Sequence, residues 1–208
     1  MHGSAYSFAQ DVDCQIEALS RDEYLQKKGR AKRLREELYP IARLGLHLKL
    51  PGVKVEVEAY ENSGAADGHI CQSGTFDVAF DVQVTYVDNH EEALRRELLA
   101  SQGVAPGAGE IYHDKKTRQI IAEVGSEDID QPTIDLAASI LELFRKKAKL
   151  AYEKNTVLII AFDEIMLQGC TAWKSLLAKI VKGGGLVTSP FRSVYLINCS
   201  TNELQRVA

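Results

Sequence analysis

The stretch TFDVAFDVQVTYVD, residues 75–88, has the alternating pattern of a β-strand. Successive side chains of a strand point to opposite faces, so this strand has one apolar face and one polar face. The apolar face comprises Phe76, Val78, Phe80, Val82, Val84 and Tyr86. The polar face comprises Asp77, Ala79, Asp81, Gln83 and Thr85. Two carboxylates and an amide on one face indicate either a solvated strand or half of a functional site.

The segments around this strand predict an α/β fold with a mixed central sheet. Residues 53–60 alternate in the same way, and the turn-forming segment NSGAADG at 62–68 predicts a hairpin between the two strands. The unbroken apolar run at 157–162 is typical of a central strand that is buried on both faces. A helix at 171–181 and a strand at 193–198 follow it, which predicts a parallel crossover.

Three further helices are predicted at 20–39, 90–100 and 134–152, and a second hairpin at 110–124. Ser20 and Glu23 have the spacing of a capping box, and Pro40 is expected to end or kink the first helix. Residues 44–50 are expected to continue that helix or to form a short strand.

Length and composition favour one domain over residues 1–208, with a loosely ordered lead-in at 1–18. The chain has 208 residues, of which 45% are hydrophobic and 26% charged, as in ordinary globular proteins. No pair of its four cysteines has CxxC spacing, which argues against a zinc knuckle. Neither a signal peptide nor a membrane-spanning run is recognisable, so we expect a cytoplasmic protein without a membrane partner.

Charge is distributed unevenly along the chain. Residues 21–54 contain ten basic and four acidic side chains, whereas residues 55–92 contain nine acidic side chains and no lysine or arginine. Phosphate-directed chemistry needs both signs, because carboxylates hold a divalent cation and basic groups hold the phosphates. A solvated helix face over KKGRAKR, residues 27–33, is the alternative interpretation.

Asp81 and Gln83 are the first candidates for metal ligands. They lie two residues apart on one face of a strand, about 7 Å along the backbone, within reach of one Mg²⁺ directly or through water. Because Gln is a weak ligand, another carboxylate is required. The candidates are Glu36 or Glu37 from the first helix and Glu56 or Glu58 from the neighbouring strand.

The order of elements over residues 20–162 resembles that of the restriction-endonuclease-like, or PD-(D/E)xK, fold. That family has an acidic residue on the first helix, an Asp that opens the next strand, and a (D/E)xK tripeptide on the strand after it. The resemblance places Glu36 or Glu37 on the helix, Pro51-Gly52 where Pro-Asp is expected, and Gln83-Val84-Thr85 at the tripeptide. Another register uses Asp77 as the first acid and residues 81–83 as the tripeptide.

The resemblance implies a Mg²⁺-dependent nuclease in which carboxylates activate water and a lysine stabilises the attacking group. We expect Glu37, Asp81 and Gln83 to hold the metal. Asp81, Gln83 and Lys149 would carry catalysis, and Lys149, from the 145–152 run RKKAKLAY, would replace the lysine missing at Thr85.

Nucleic acid is the partner that this resemblance implies, with Arg30, Lys32 and Arg33 as its contacts. Three alternatives remain open: an inactive member of the fold that binds nucleic acid, one that binds a protein partner or forms a homodimer, and an unrelated α/β protein whose acidic strand is solvated. Asp163 and Glu164 are weaker candidates, because they follow a buried strand. His69 and His113 are isolated histidines without a second ligand at metal-binding spacing.

Overall fold

A seven-stranded mixed β-sheet organises the chain, and helices pack on both of its faces. The computed structural model of the protein describes residues 1–61, 66–107, 109–123, 130–153, 155–165, 167–186 and 190–208. In chain order the elements are β1 (His2–Ser4), α1 (Ala5–Glu17), α2 (Arg21–Gln26), α3 (Gly29–Arg33), a π-helical turn called here the π segment (Leu34–Leu38), α4 (Tyr39–His47), β2 (Val53–Ala59), β3 (Gly68–Gly74), β4 (Val78–Tyr86), α5 (His90–Gln102), β5 (Ile111–His113), β6 (Ile120–Ala122), α6 (Gln131–Ala148), β7 (Thr156–Phe162), α7 (Gly169–Lys182), β8 (Ser193–Asn198) and β9 (Glu203–Arg206).

The strand order of the sheet is β1-β2-β3-β4-β7-β8-β9. Strands β1 to β4 are antiparallel neighbours, β4, β7 and β8 are parallel, and β9 returns antiparallel to β8. The carboxyl ends of the three parallel strands therefore meet at one edge of the sheet. Strands β5 and β6 form a separate hairpin, which packs against α5.

Two hydrophobic cores lie on opposite faces of this sheet. On one face, Phe8 of α1, Leu34 of the π segment and Ile41 of α4 pack over β1–β4 and the adjoining face of β7 and β8. On the other face, α6 and α7 cover β7 and β8, with Phe144 and Trp173 in the core. All seven residues of β7 are buried, as its unbroken apolar sequence predicts.

The α/β class, the mixed sheet and the single domain predicted from the sequence are confirmed at this level. Strands β2, β4, β7 and β8 and helices α5, α6 and α7 lie where the pattern placed them, and β7 and β8 are parallel. No helix among the described residues is long and apolar enough to cross a membrane.

The prediction of one hairpin between 53–60 and 75–88 is wrong, because β3 lies between those strands. Strand β3 pairs with β2 on one side and with β4 on the other. Its sequence, GHICQSG, has glycine at both ends and polar residues within it, so it lacks the alternation that identifies a strand. Residues 62–65 of the predicted turn lie outside the described residues.

Residues 1–18 do not form the loose lead-in that the sequence analysis predicted. They form β1 and α1, and Ser4 caps α1 by accepting a hydrogen bond from the Ser7 N–H. The residues that α1 buries follow the helical spacing that makes one apolar face. They are Ala5, Phe8, Ala9 and Val12.

The helix predicted over 20–39 is divided into several parts. The Ser20–Glu23 capping box is present, but α2 ends at Lys27, whose backbone is left-handed (φ 46°). Pro40 does not end the next helix. The π segment precedes this helix, and in it the Tyr39 N–H donates to the Leu34 carbonyl five residues earlier. The hydrogen-bond pattern therefore shifts just before Pro40, which has no N–H to donate. The helix then continues through 44–47, where a strand was the alternative.

Candidate functional site

Asp67 and Gln83 form the centre of the candidate site. Asp67 immediately precedes β3, and because Gly68 pairs with Val82, Asp67 lies beside Gln83 on the neighbouring strand. The Asp67 Oδ2 atom accepts hydrogen bonds from the Val84 backbone N–H at 2.7 Å and from the Gln83 Nε2. The carboxylate thus continues the strand pairing beyond the start of β3, which fixes its position against β4.

Gln83 presents an amide oxygen at this position. Its side chain is 8% exposed, and its Nε2 also donates to the Val84 carbonyl at 3.1 Å. Among the described residues, no donor reaches the Gln83 Oε1, and this oxygen is not fully buried. It is therefore the atom of this side chain that is available as a ligand.

Glu37 brings a second carboxylate to the site from the π segment. Burial raises the pKa of Glu37, and the negative charge of Asp67 raises it further. Arg33 forms an ion pair with Glu37 at 3.8 Å, one helical turn earlier. π-Helical turns are frequent at functional sites, and Glu37 lies within this one.

Lys147 contributes a positive charge from α6. Burial raises the pKa of Asp67 above its ordinary value, and the Val84 hydrogen bond and the Lys147 charge act against this increase. Lys147 is half-buried, whereas Lys149 at the end of α6 is exposed. Of the two lysines, only Lys147 has a charge that acts on Asp67, and the expectation that Lys149 would lie toward the core is wrong.

This arrangement is chemically suited to a hard divalent cation. Magnesium and calcium prefer oxygen ligands, and Asp67, Glu37 and Gln83 offer carboxylate and amide oxygens. Burial is the main cause of the raised pKa values of Asp67 and Glu37, and perturbed carboxylates of this kind are characteristic of functional sites. Within the described ranges, no three histidine, cysteine, aspartate or glutamate side chains gather to hold a metal, so a site here depends on the Gln83 oxygen.

The other predicted acidic residues lie outside this group. Asp81 is on the same face of β4 as Gln83, but its carboxylate forms a 2.8 Å contact with the His69 Nδ1. Glu36 points away from Glu37 and is 8% exposed, with Lys32 at 3.7 Å. Glu56 and Glu58 are exposed on β2, on a part of the sheet that α6 and α7 leave uncovered.

The three basic residues predicted to contact nucleic acid lie on or beside the approach to the carboxylates. Arg33 contacts Glu37 and donates to the Tyr60 carbonyl. Lys32 is more than half exposed, and Arg30 is exposed and donates to Gln15 at 2.9 Å. The π segment that continues the basic helix packs through Leu34 and Leu38 on the apolar face of β4, the face opposite to Asp81 and Gln83.

Asp67 is the residue that sequence reasoning missed. It lies in NSGAADG, which was interpreted only as a turn, and its proximity to Gln83 becomes apparent only once β3 is recognised as a separate strand. An acidic residue at the end of a turn, followed by a strand that pairs with the one bearing Gln83, was the available signal.

Comparisons with known proteins give no relative from which to transfer a function: no family model, curated protein or solved structure matches the chain.

Proposed function

We propose that the chain is a restriction-endonuclease-like protein that hydrolyses phosphodiester bonds in nucleic acid with Mg²⁺. The observation that carries the proposal is the pairing of Asp67 with Gln83 across β3 and β4, next to Glu37. Asp67, Glu37 and Gln83 would hold the cation. When bound, Mg²⁺ would lower the pKa of a coordinated water and neutralise charge on the phosphate.

Strand β3 changes how the chain matches the family pattern. Asp67 stands at the opening of β3, and Gln83-Val84-Thr85 lies on the strand after it, which is the order that the pattern requires. Glu37 supplies the carboxylate from the preceding helix. Gly52, which occupied the Asp position in the sequence comparison, is then not the relevant residue.

Lys147 is the best candidate for the basic group that Thr85 cannot provide. Its positive charge lowers the pKa of Asp67, which supports a role for Lys147 beside this carboxylate. A lysine in this position would orient the attacking water and stabilise charge that develops on the phosphate. Lys149 lies at the exposed end of the same helix and has a weaker claim to this role.

A negatively charged polymer suits the surroundings of the carboxylates. Exposed or half-exposed basic residues occur on α3, where Arg33 pairs with Glu37, and at the end of α6, where the Lys147 charge acts on Asp67. These residues are Arg30, Lys32, Arg33, Lys146, Lys147 and Lys149. Contacts from both sides would hold the backbone of a nucleic acid across Asp67.

Cleavage assays test the proposal directly. Purified protein is incubated with supercoiled plasmid, single-stranded DNA and RNA in Mg²⁺, Mn²⁺ or EDTA. We expect metal-dependent cleavage that Asp67→Asn reduces by at least about 10²-fold, whereas the matched control Asp77→Asn, on the exposed turn before β4, retains it. Cleavage that persists equally in Asp67→Asn would identify a contaminating nuclease and contradict the assignment.

A noncatalytic member of the same fold is the second candidate. The Asp67 Oδ2 already accepts two N–H donors, and Thr85 stands where the family has lysine. Such a protein would bind nucleic acid in EDTA as well as in Mg²⁺ and would cleave none of the substrates. Fluorescence anisotropy with labelled DNA and RNA distinguishes this outcome from a protein that binds neither.

A further inference from the structure

A cluster of charged and polar side chains lies at the carboxyl ends of β4, β7 and β8, apart from the carboxylates described above. Its centre is Asp163, the first residue after the buried strand β7. The Asp163 carboxylate accepts hydrogen bonds from Lys27 Nζ at 2.8 Å, Arg35 at 3.2 Å and Ser200 Oγ at 3.2 Å. The sequence analysis noted Asp163 only as a weak candidate, and the proposed reaction does not use it.

Lys27 is an unusual member of this cluster, because its side chain is only 3% exposed. Its ammonium group also donates to the Tyr86 hydroxyl at 3.1 Å and lies 4.4 Å from the centre of the Tyr86 ring. Its left-handed backbone ends α2. A buried charge and a strained conformation both cost stability, and they persist because the surrounding contacts compensate for them.

Arg35 connects the cluster to the π segment. Its guanidinium donates to Asp163, donates to the Tyr24 carbonyl at 3.0 Å and lies 4.0 Å from the Tyr24 ring. Arg35 is two residues before Glu37, and residues two apart point in different directions on a helix. Arg35 therefore joins one side of the π segment to Asp163 after β7, while Glu37 lies on a different side and pairs with Arg33.

We propose that Asp163 is a positioning residue that holds the π segment through Arg35 and Lys27, and thereby sets where the Glu37 carboxylate lies. The π segment needs such support because Pro40 follows it without an N–H, and because α3, on its other side, has only five residues. The metal-related part of this inference rests on the proposed function. The structural part, that Asp163 controls the π segment, stands without it.

Two measurements on Asp163→Asn test the inference, with Leu176→Ala as the control. Leu176 lies on α7 and is fully buried in the core on the other face of the sheet, so its truncation lowers the melting temperature without touching the cluster. The first measurement is amide hydrogen exchange of residues 34–38, and the second is Mn²⁺ affinity by calorimetry. Arg35→Gln serves as a second variant in case Asp163→Asn does not fold.

In Asp163→Asn we expect protection of residues 34–38 to fall at least about tenfold more than protection of β7, whereas Leu176→Ala spares these residues. We also expect Mn²⁺ affinity to fall by about 10- to 100-fold, as for other groups that orient metal ligands, and to stay unchanged in Leu176→Ala. Unchanged relative protection of residues 34–38 in both Asp163→Asn and Arg35→Gln would overturn the inference. Absence of Mn²⁺ binding in the unsubstituted protein would overturn the proposed function and the metal-related part, and hydrogen exchange would still decide the structural part.

Discussion

The Asp67 carboxylate lies beside Gln83 across two antiparallel strands and accepts a hydrogen bond from its amide. The same carboxylate oxygen also accepts the Val84 N–H, so the acid is fixed by the backbone of β4. The Asp67 charge raises the pKa of Glu37 on the π segment, and the Lys147 charge on α6 lowers the pKa of Asp67. Electrostatic effects thus connect this carboxylate to two helical segments that are distant in sequence.

Asp67 and Glu37 make the metal-free protein sensitive to pH. Both have folded-state pKa values above their ordinary values of 3.8 and 4.5, so their contribution to stability is present below those values and is lost as the pH rises through the folded-state pKa values. Asp67→Asn lacks this pH-dependent loss. The difference between its free energy of unfolding and that of the unsubstituted protein should therefore increase in EDTA from about pH 3.5 to about pH 7, a range that spans the reference pKa values. Urea denaturation at several pH values measures this difference, and a decrease would contradict it.

Metal should stabilise the protein through the same residues. A cation that binds only the folded state adds about 2.7 kcal/mol at a concentration 100 times its dissociation constant. The melting temperature of the unsubstituted protein should therefore rise in Mn²⁺, and that of Asp67→Asn should not. An equal rise in both proteins would place the metal elsewhere.

Lys147 and Lys149 differ by two positions on α6 and allow a matched comparison. We expect Lys147→Gln to lower the cleavage rate about 10²-fold, because a charge near the phosphate is removed. Lys149→Gln should change the rate by less than about twofold, since Lys149 is exposed at the end of the helix. Single-turnover assays with saturating protein provide the test, and equal effects of the two substitutions would remove Lys147 from the reaction.

The Asp163 cluster predicts that Asp163→Asn destabilises the protein more than Lys27→Met does. Asp163→Asn leaves Lys27 and Arg35 without their shared carboxylate, and breaking such a buried pair costs about 3 kcal/mol. Lys27→Met replaces the buried ammonium by an apolar group and leaves Asp163 paired with Arg35, so it should cost less than half as much. Urea denaturation of the two variants measures this order, and the reverse order would show that the Lys27 charge itself dominates.

Helix α1 is expected to be an integral part of the fold. Phe8 is fully buried, and Phe8→Ala should lower the free energy of unfolding by about 3–5 kcal/mol. Tyr6, on the same helix, is 65% exposed, so Tyr6→Ala should have little effect. A small effect of Phe8→Ala would restore the interpretation of residues 1–18 as a loose lead-in.

Sequence patterns predicted the elements whose environment is uniform along their length. Strand β7 is buried on both faces and β4 has one apolar face, so both have a simple periodicity that the sequence displays. Strand β3 lies inside the sheet, yet its sequence begins and ends with glycine and contains polar residues. Only its pairing with β2 and β4 identifies it as a strand. The start of the chain was missed although the buried residues of α1 have helical spacing, because two of the four, Ala5 and Ala9, are small and give a weak apolar signal.

The candidate site was predictable only in part, because it depends on strand register and helix phase. The sequence predicted Gln83 as a polar residue on one face of a strand and Glu37 as an acidic residue on a helix. Asp67 required knowledge of which residue lies opposite Gln83, and the choice between Lys147 and Lys149 required the rotation of α6 within about half a turn. Sequence spacing gives neither the strand register nor the rotation of a helix when neighbouring elements are misassigned.

Calorimetric titration of Mn²⁺ into the unsubstituted protein, Asp67→Asn and Asp81→Asn tests the central claim most directly. Asp81 lies on the same strand face as Gln83 but contacts His69, which makes it the matched control. We predict binding to the unsubstituted protein and to Asp81→Asn, and none to Asp67→Asn. Binding that survives in Asp67→Asn, or no binding to the unsubstituted protein at millimolar metal, would contradict a metal site at Asp67, Gln83 and Glu37.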